Sequence, residues 1–216
     1  MANPEDFKDL GTSTISDALD RLGINGQALG LQPLDRSFRL AGRAFTIYMR
    51  PCDTVKGSVG DYIDDVNPGD IVVLDNSGRM DATVWGDILT TQAKRRGIGG
   101  TVIHGVCRDF DRSIELNYPV YSRGVTMRTG KDRVQADGYN VPISLGEVRV
   151  NPGDIIVGDG DGVLVVPKER EDEVLKLTLE VAEAEVHIRA AIEGGLRLDE
   201  ARKQFRYHQL QTRDEG

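Results

Sequence analysis

The stretch VWGDILTTQAKRRGIGGTVIHGVCRD, Val84 to Asp109, changes character halfway along. Gly86 to Arg96 reads as a helix, Gly99-Gly100 opens a bend, and TVIHGVC is a β-branched run of the kind found in buried strands. A helix feeding straight into a buried strand implies α/β layering. It also leaves Arg108 and Asp109, opposite charges side by side, at the mouth of that strand.

Upstream, Thr12 to Leu22 sets Ile15, Leu19 and Leu22 at helical spacing, with hydroxyl residues available as an N-cap and Gly23 placed to stop the helix. The pattern turns β-rich from Phe38 to Met49 and from Asp70 to Leu74. Downstream come short strands with tight turns in YPVYSRG, VPIS, EVRV and DIIVGDGDGVLVVP. A long helix then carries Leu175, Leu179, Ala182, Val186 and Ala190 along one face and stops at Gly194-Gly195. A shorter helix is expected from Leu198 to Phe205, followed by a frayed QTRDEG tail. Two segments nearly repeat, VNPGDIVVLDNSG from Val66 and VNPGDIIVGDGDG from Val150. Pro-Gly sets a β-turn in each, so the repeat reads as two similar starts of sheet strands and not as a duplicated binding site.

Composition narrows the classes of function. A chain of 216 residues fits one compact domain, 1–216, able to bury about 70% of its unfolded surface. No apolar run approaches the roughly 20 residues that span a bilayer, so no membrane partner is expected. The acidic start, MANPEDFKDL, lacks a secretory profile, and a cytoplasmic location is expected. A net charge of −8 argues against a nucleic-acid partner, and Lys94 to Arg96 reads as a solvated helix face. Cys52 and Cys107 lack CxxC spacing and read as two buried thiols.

Most catalytic motifs fail. GDGDG, Gly158 to Gly162, has neither a phosphate-loop lysine nor the oxygen ligand an EF-hand needs where Val163 stands, which leaves a tight β-turn. No GxGxxG or GxSxG is present. His104, His187 and His208 have no HExxH spacing. Lys56 is the only Schiff-base candidate, and a surface-loop lysine explains it more simply. What remains is Asp87 at a helix start, where free N–H groups suit a carboxylate, with Arg108 and Asp109 beyond it. Twenty residues lie between Asp87 and Arg108, enough for a helix, a bend and a returning strand, so both can meet at one sheet edge. Asp109 would then offer a hard oxygen to Mg²⁺ or Mn²⁺, and Arg108 with the helix amides would grip a 2-oxo acid. The competing expectation makes Asp87 a simple N-cap and Arg108 and Asp109 ends of separate surface ion pairs.

The segments TSTISDALDRLG, VWGDILTTQAKRRGIGGTVIHGVCRD, NYPVYSRG and VNPGDIIVGDGDGVLVVPKE, in this order, resemble the RraA-like family. That family includes the 4-hydroxy-4-methyl-2-oxoglutarate / 4-carboxy-4-hydroxy-2-oxoadipate aldolases and the RraA regulator of RNase E activity. The resemblance implies an α/β fold with a central β-barrel-like core, a C-terminal helical extension over about 168–208, and trimers or hexamers with sites between subunits. It implies a divalent-metal (class II) pyruvate aldolase with oxaloacetate decarboxylase activity, using Mg²⁺ or Mn²⁺. The family's D-x20-R-D signature falls on Asp87, Arg108 and Asp109. By resemblance Asp109 anchors the metal, Arg108 holds the pyruvyl oxygens, and Asp87 orients water at the metal. The substrate carboxylate falls on the start of the helix, Gly86, Asp87, Ile88 and Leu89. An acid from a neighbouring subunit, Glu183 or Glu185, completes the site. Two positions depart from the pattern. Arg112 stands where the aldolases tend to carry an acid, the nearest acid being Asp111, and His104 stands where the strand more usually carries one. The alternative implied by the same resemblance is a non-catalytic protein regulator of RNase E.

Overall fold

The computed structural model describes residues 1–205 and 207; His208 and the QTRDEG tail lie outside the described residues. The strands are β1 (Gln27–Ala28), β2 (Gln32–Pro33), β3 (Leu40–Pro51), β4 (Ile71–Thr83), β5 (Gly100–Cys107), β6 (Val120–Val125), β7 (Val134–Tyr139), β8 (Ile143–Leu145), β9 (Val148–Val150), β10 (Ile155–Gly158) and β11 (Val163–Val166). The helices are α1 (Thr12–Arg21), α2 (Asp87–Arg95), α3 (Phe110–Glu115), α4 (Glu171–Glu193) and α5 (Leu198–Gln204). Among the described residues no helix is long and apolar enough to cross a membrane.

β3, β4, β5 and β6 lie side by side and parallel, joined by a long crossover over residues 52–70 and then by α2 and α3. β10 pairs antiparallel with the first half of β3 and β7 with its second half, while the order runs β1-β11-β10-β3-β4-β5-β6-β2. The two outermost strands, β1 and β2, are joined by residues 29–31 alone. A sheet whose edges are tethered so closely has to curl. Its inner face gathers Leu40, Ala44, Val73, Val102, Tyr121, Ile156 and Val165, from six different strands, into one apolar cluster. That shared interior is the expected barrel-like core, although no pairing joins β1 to β2 among the described residues. The β8–β9 hairpin covers it with Ile143, Leu145, Val148 and Val150.

The alternate side chains of the same strands point outward and are covered too. Val72, Leu74 and Ile103 pack with Trp85, Ala93 of α2 and Tyr118. Ile155, Val157, Leu164 and Val166 pack under Ile15 and Leu19 of α1 and Val174 of α4. Burial on both faces is why these strands read as near-continuous Val/Ile runs. The two NPGD turns fall on either side of β3, with Gly69 and Gly153 at φ of 84° and 86°, and each launches a strand of the same sheet as expected.

Several expectations need correction. The apolar stripe of α4 that faces the body is Val174, Leu177, Val181, Ala184 and Ile188, whereas Leu179 and Val186 are 51% and 56% exposed. Both stripes have helical period and are offset by one or two residues, and only the fit to β10, β11 and α1 selects between them. The cap of α1 is not one of its own hydroxyls. Asp159, in the GDGDG turn, accepts Thr12 N–H at 2.9 Å and Thr12 Oγ1–H at 2.6 Å. Burial works against the charge on Asp159, but these bonds outweigh it and hold the carboxyl below its ordinary range. Cys107 is buried as expected, while Cys52 is only half-buried.

The start of α4 is fixed to the sheet by an ion pair. Glu171, 1% exposed, accepts both terminal nitrogens of Arg43 on β3, and that guanidinium also donates to Ala2 O at 3.0 Å and Gly153 O at 3.1 Å. Removing one partner strands the other, so Glu171→Ala is expected to cost about 3 kcal/mol in urea unfolding. A loss below about 1 kcal/mol would show the pair to be incidental.

Candidate active site

β4 leaves the sheet after Thr83, turns at Val84 to Gly86 into α2, and the chain returns as β5 alongside β4. Two backbone bonds zip the exits together, Val84 N–H to Val106 O at 3.3 Å and Arg108 N–H to Trp85 O at 3.0 Å. Gly86 therefore faces Arg108 and Asp109 at the carboxyl ends of parallel strands, where sites in such sheets form. The approach is close: a Cβ at position 86 would lie 2.9 Å from Asp109 Oδ2 and 3.4 Å from Arg108 Nε. Any side chain there would displace the pair.

Arg108 Nε sits 3.3 Å from Asp109 Oδ2, with both side chains about two-fifths exposed. The two charges pair with each other, so they are not ends of separate surface pairs. Asp109 is the N-cap of α3 and takes the left-handed conformation, φ 55° and ψ 39°, which aspartate tolerates better than most residues. Asp87 is not the cap of α2. That position is Gly86, no side chain caps the helix, and Thr90 N–H bonds Gly86 O at 3.0 Å. The amides of Asp87, Ile88 and Leu89 thus precede the first intrahelical bond, at the positive end of the helix dipole.

Arg108 and the start of α2 line a cleft of about 410 Å³, while Asp109 stands behind Arg108 and is not part of the lining. Gly86, Asp87, Ile88, Leu89 and Arg108 form one side, as expected from the sequence. The other side is Gly57 to Gly60 and Thr129 to Lys131, which the sequence did not point to. A Cβ on Gly130 would sit 2.0 Å from Thr83 O, so only glycine lets that turn rest on the end of β4. Lys131 adds a second cation to the wall. The only sequence signals for these loops are glycines beside polar residues, with no period to mark them.

The remaining expected site residues lie elsewhere. Glu185 accepts Thr14 Oγ1–H at 3.3 Å and pairs with Arg189 at 3.4 Å; Glu183 is 3.9 Å from His187. Both sit on α4, and within one chain neither lines the cleft. Arg112 bonds Thr91 Oγ1 at 3.3 Å and Glu115 at 3.0 Å. His104 lies 3.3 Å from Asp75 Oδ1 and 3.4 Å from Gly146 N, while Asp75 Oδ2 accepts Ser144 N–H at 3.2 Å. It ties β4 and β5 to the β8–β9 hairpin and does not line the cleft. Lys56 pairs with Asp132 at 3.1 Å and is half-exposed, the ordinary loop lysine. Burial pushes the Cys107 thiol up, so the sulfur beside Arg108 stays protonated at neutral pH. Among the described residues no group of three or more His, Cys, Asp or Glu side chains gathers to hold a metal.

Together these features define an α/β protein whose cleft pairs an arginine–aspartate couple with an open helix N-terminus. The profile of the RraA-like family, Aldolase/RraA, matches residues 12–165, and the chain belongs to that family. Over 201 residues it is 41% identical to Protein DlpA of Legionella pneumophila, an alignment that takes in 92% of this chain but only 33% of that longer protein. A putative 4-hydroxy-4-methyl-2-oxoglutarate aldolase of Halalkalibacterium halodurans is 38% identical over 170 residues, 79% of each chain. Among solved structures, Streptomyces coelicolor RraAS2, described as an unusual member of the RNase ES inhibitor RraA protein family, superposes with a TM-score of 0.80 at 28% identity, covering 87% of this chain and 96% of that one.

Proposed function

We propose that the chain is a divalent-metal-dependent lyase that cleaves a 4-hydroxy-2-oxo acid, such as 4-hydroxy-4-methyl-2-oxoglutarate, to pyruvate, and that the same site decarboxylates oxaloacetate. The observation that carries this is the convergence of Arg108 and the three leading amides of α2 on one cleft, with Asp109 paired to Arg108 just behind its wall. The amides of Asp87, Ile88 and Leu89 take the substrate's 1-carboxylate. Arg108 faces the 2-oxo oxygen and stabilises the negative charge that grows there. Asp87, exposed at the rim, orients the water that takes the C4-hydroxyl proton. The C3–C4 bond breaks, its electron pair enters the enolate, and protonation at C3 gives pyruvate. Loss of the 4-carboxylate of oxaloacetate as carbon dioxide produces the same enolate, so one site serves both reactions.

The donor set fits a hydrated hard cation. One chain offers a single well-placed carboxylate, Asp109, with Asp87 one residue beyond Gly86, and Mg²⁺ is held through one or two carboxylates with waters retained, not in a closed protein cage. Bound Mg²⁺ or Mn²⁺ would supply Lewis-acid polarisation of the 2-oxo group. In a homotrimer or homohexamer, Glu183 or Glu185 of a neighbouring copy would add the acid that one chain leaves out. Placement in the cytoplasm, with no nucleic-acid partner, goes with the small-molecule substrate and the charge of −8.

The likeness to RraAS2 favours a second reading, a non-catalytic protein that regulates RNase E. A protein-binding surface has no need of Asp87, Arg108 and Asp109 gathered at one cleft, which is why catalysis is preferred. Pyruvate release from the two substrates tests the choice. Absence of release from both, together with binding to an RNase E segment, would favour the regulator.

A further inference from the structure

Two consecutive threonines in the first turns of α2 make the same pair of bonds. Thr90 Oγ1 donates to Gly86 O at 2.9 Å and accepts Trp85 Nε1–H at 2.9 Å. Thr91 Oγ1 donates to Asp87 O at 2.8 Å and accepts Arg112 Nε–H at 3.3 Å. Each hydroxyl gives its one proton to a first-turn carbonyl and takes an N–H from outside the helix. Trp85 is held in turn by stacking on Tyr118, with centroids 6.2 Å apart and planes within 6°. Arg112 belongs to α3, whose N-cap is Asp109. The bracket therefore fixes the start of α2 to both the strand exit and the helix that carries the other acid.

Its placement answers a problem in the cleft. A Ser, Asp or Asn cap at position 86 would steady the turn, but its oxygen would accept the amides of Ile88 or Leu89 and block them. Glycine leaves those amides open and leaves the turn without a side-chain cap. Threonine inside a helix is otherwise mildly unfavourable, because its hydroxyl competes for backbone groups. Here that competition is directed at the carbonyls, and the donors stay free.

We propose that Thr90 and Thr91, anchored by Trp85 and Arg112, are positioning residues that hold the uncapped first turn of α2 as a carboxylate cradle. The role rests on the assignment of the cleft to a pyruvate-releasing site. Thr90 is buried and its loss would also disturb the core, so the exposed Thr91 is the cleaner test. Thr91→Val and Arg112→Ala are expected to weaken pyruvate binding in the presence of Mg²⁺, and to raise KM for oxaloacetate, by about fivefold, the factor one lost hydrogen bond is worth. The value of kcat should change by less than about twofold, and Thr91→Ser should restore the parent values. Pyruvate should also shift the amide resonances of Asp87, Ile88 and Leu89 in the parent, and less so in Thr91→Val. Unchanged affinity and KM in Thr91→Val and Arg112→Ala would overturn the bracket while leaving the assignment of the cleft intact. A loss confined to kcat would overturn it as well. A parent protein that binds no pyruvate would overturn both, a result visible before any variant is made.

Discussion

Asp109→Asn is expected to reduce pyruvate release by at least about a thousandfold and to leave the folded state unharmed. The argument begins with the backbone. Asp109 sits at φ 55°, a conformation that asparagine shares and alanine resists by about 1–2 kcal/mol, so the amide is the variant that isolates chemistry from strain. The change removes the only carboxylate among the described residues that pairs with Arg108, and the one proposed anchor for the metal. If the cation supplies several kcal/mol of stabilisation to the enolate, its loss corresponds to about three orders of magnitude in rate. Turnover, urea unfolding and Mn²⁺ titration should be measured together: activity and titration lost, stability within about 1 kcal/mol. Asp109→Ala should be equally inactive and somewhat less stable. Parent-like turnover in either variant would remove Asp109 from the site.

Arg108→Ala is expected to lower kcat about a thousandfold by a different route. In the proposed reaction the guanidinium faces the 2-oxo oxygen as it gains charge, and deleting one donor from such a position costs about a hundred- to a thousandfold. Arg108→Lys keeps a charge but not the planar fork, and should recover only a small part of the loss. The fold should tolerate both, because position 108 is held by its backbone bond to Trp85 O, which does not depend on the side chain. The two variants differ in one readout. Mn²⁺ binding should survive Arg108→Ala and disappear in Asp109→Asn.

The central part of both fold and site was legible for one reason. Asp87, Arg108 and Asp109 are the two ends of a single β-α-β crossover, so their meeting at one edge follows from the lengths of α2 and β5. The opposite wall of the cleft does not follow from any local pattern. Lys131 arrives on a loop set by Gly130 resting on Thr83, and Ser58 on a loop tied to β7 by Ala136 N–H to Ser58 O at 2.9 Å, both tertiary contacts. The cap of α1 was hidden similarly, because Asp159 lies 147 residues from Thr12. β1 and β2 have two residues each, too few to show a period, and β7, VQADGY, carries too many polar and small residues to read as a strand. On α4, two apolar stripes of equal period compete, and the pattern alone picks the wrong one because only the fit to β10 and β11 selects the inward face. Its outward face, with Leu179 and Val186 exposed, is also where Glu183 lies.

The most direct test of the account is pyruvate release from oxaloacetate and from 4-hydroxy-4-methyl-2-oxoglutarate by the parent protein, measured with Mg²⁺, with EDTA, and after borohydride treatment. Release that requires Mg²⁺, stops in EDTA and is indifferent to borohydride is the expected result, because the proposed chemistry runs through Arg108 and a cation at Asp109 and passes through no imine. Release that persists in EDTA and is abolished by borohydride would contradict the account and move the chemistry to a lysine.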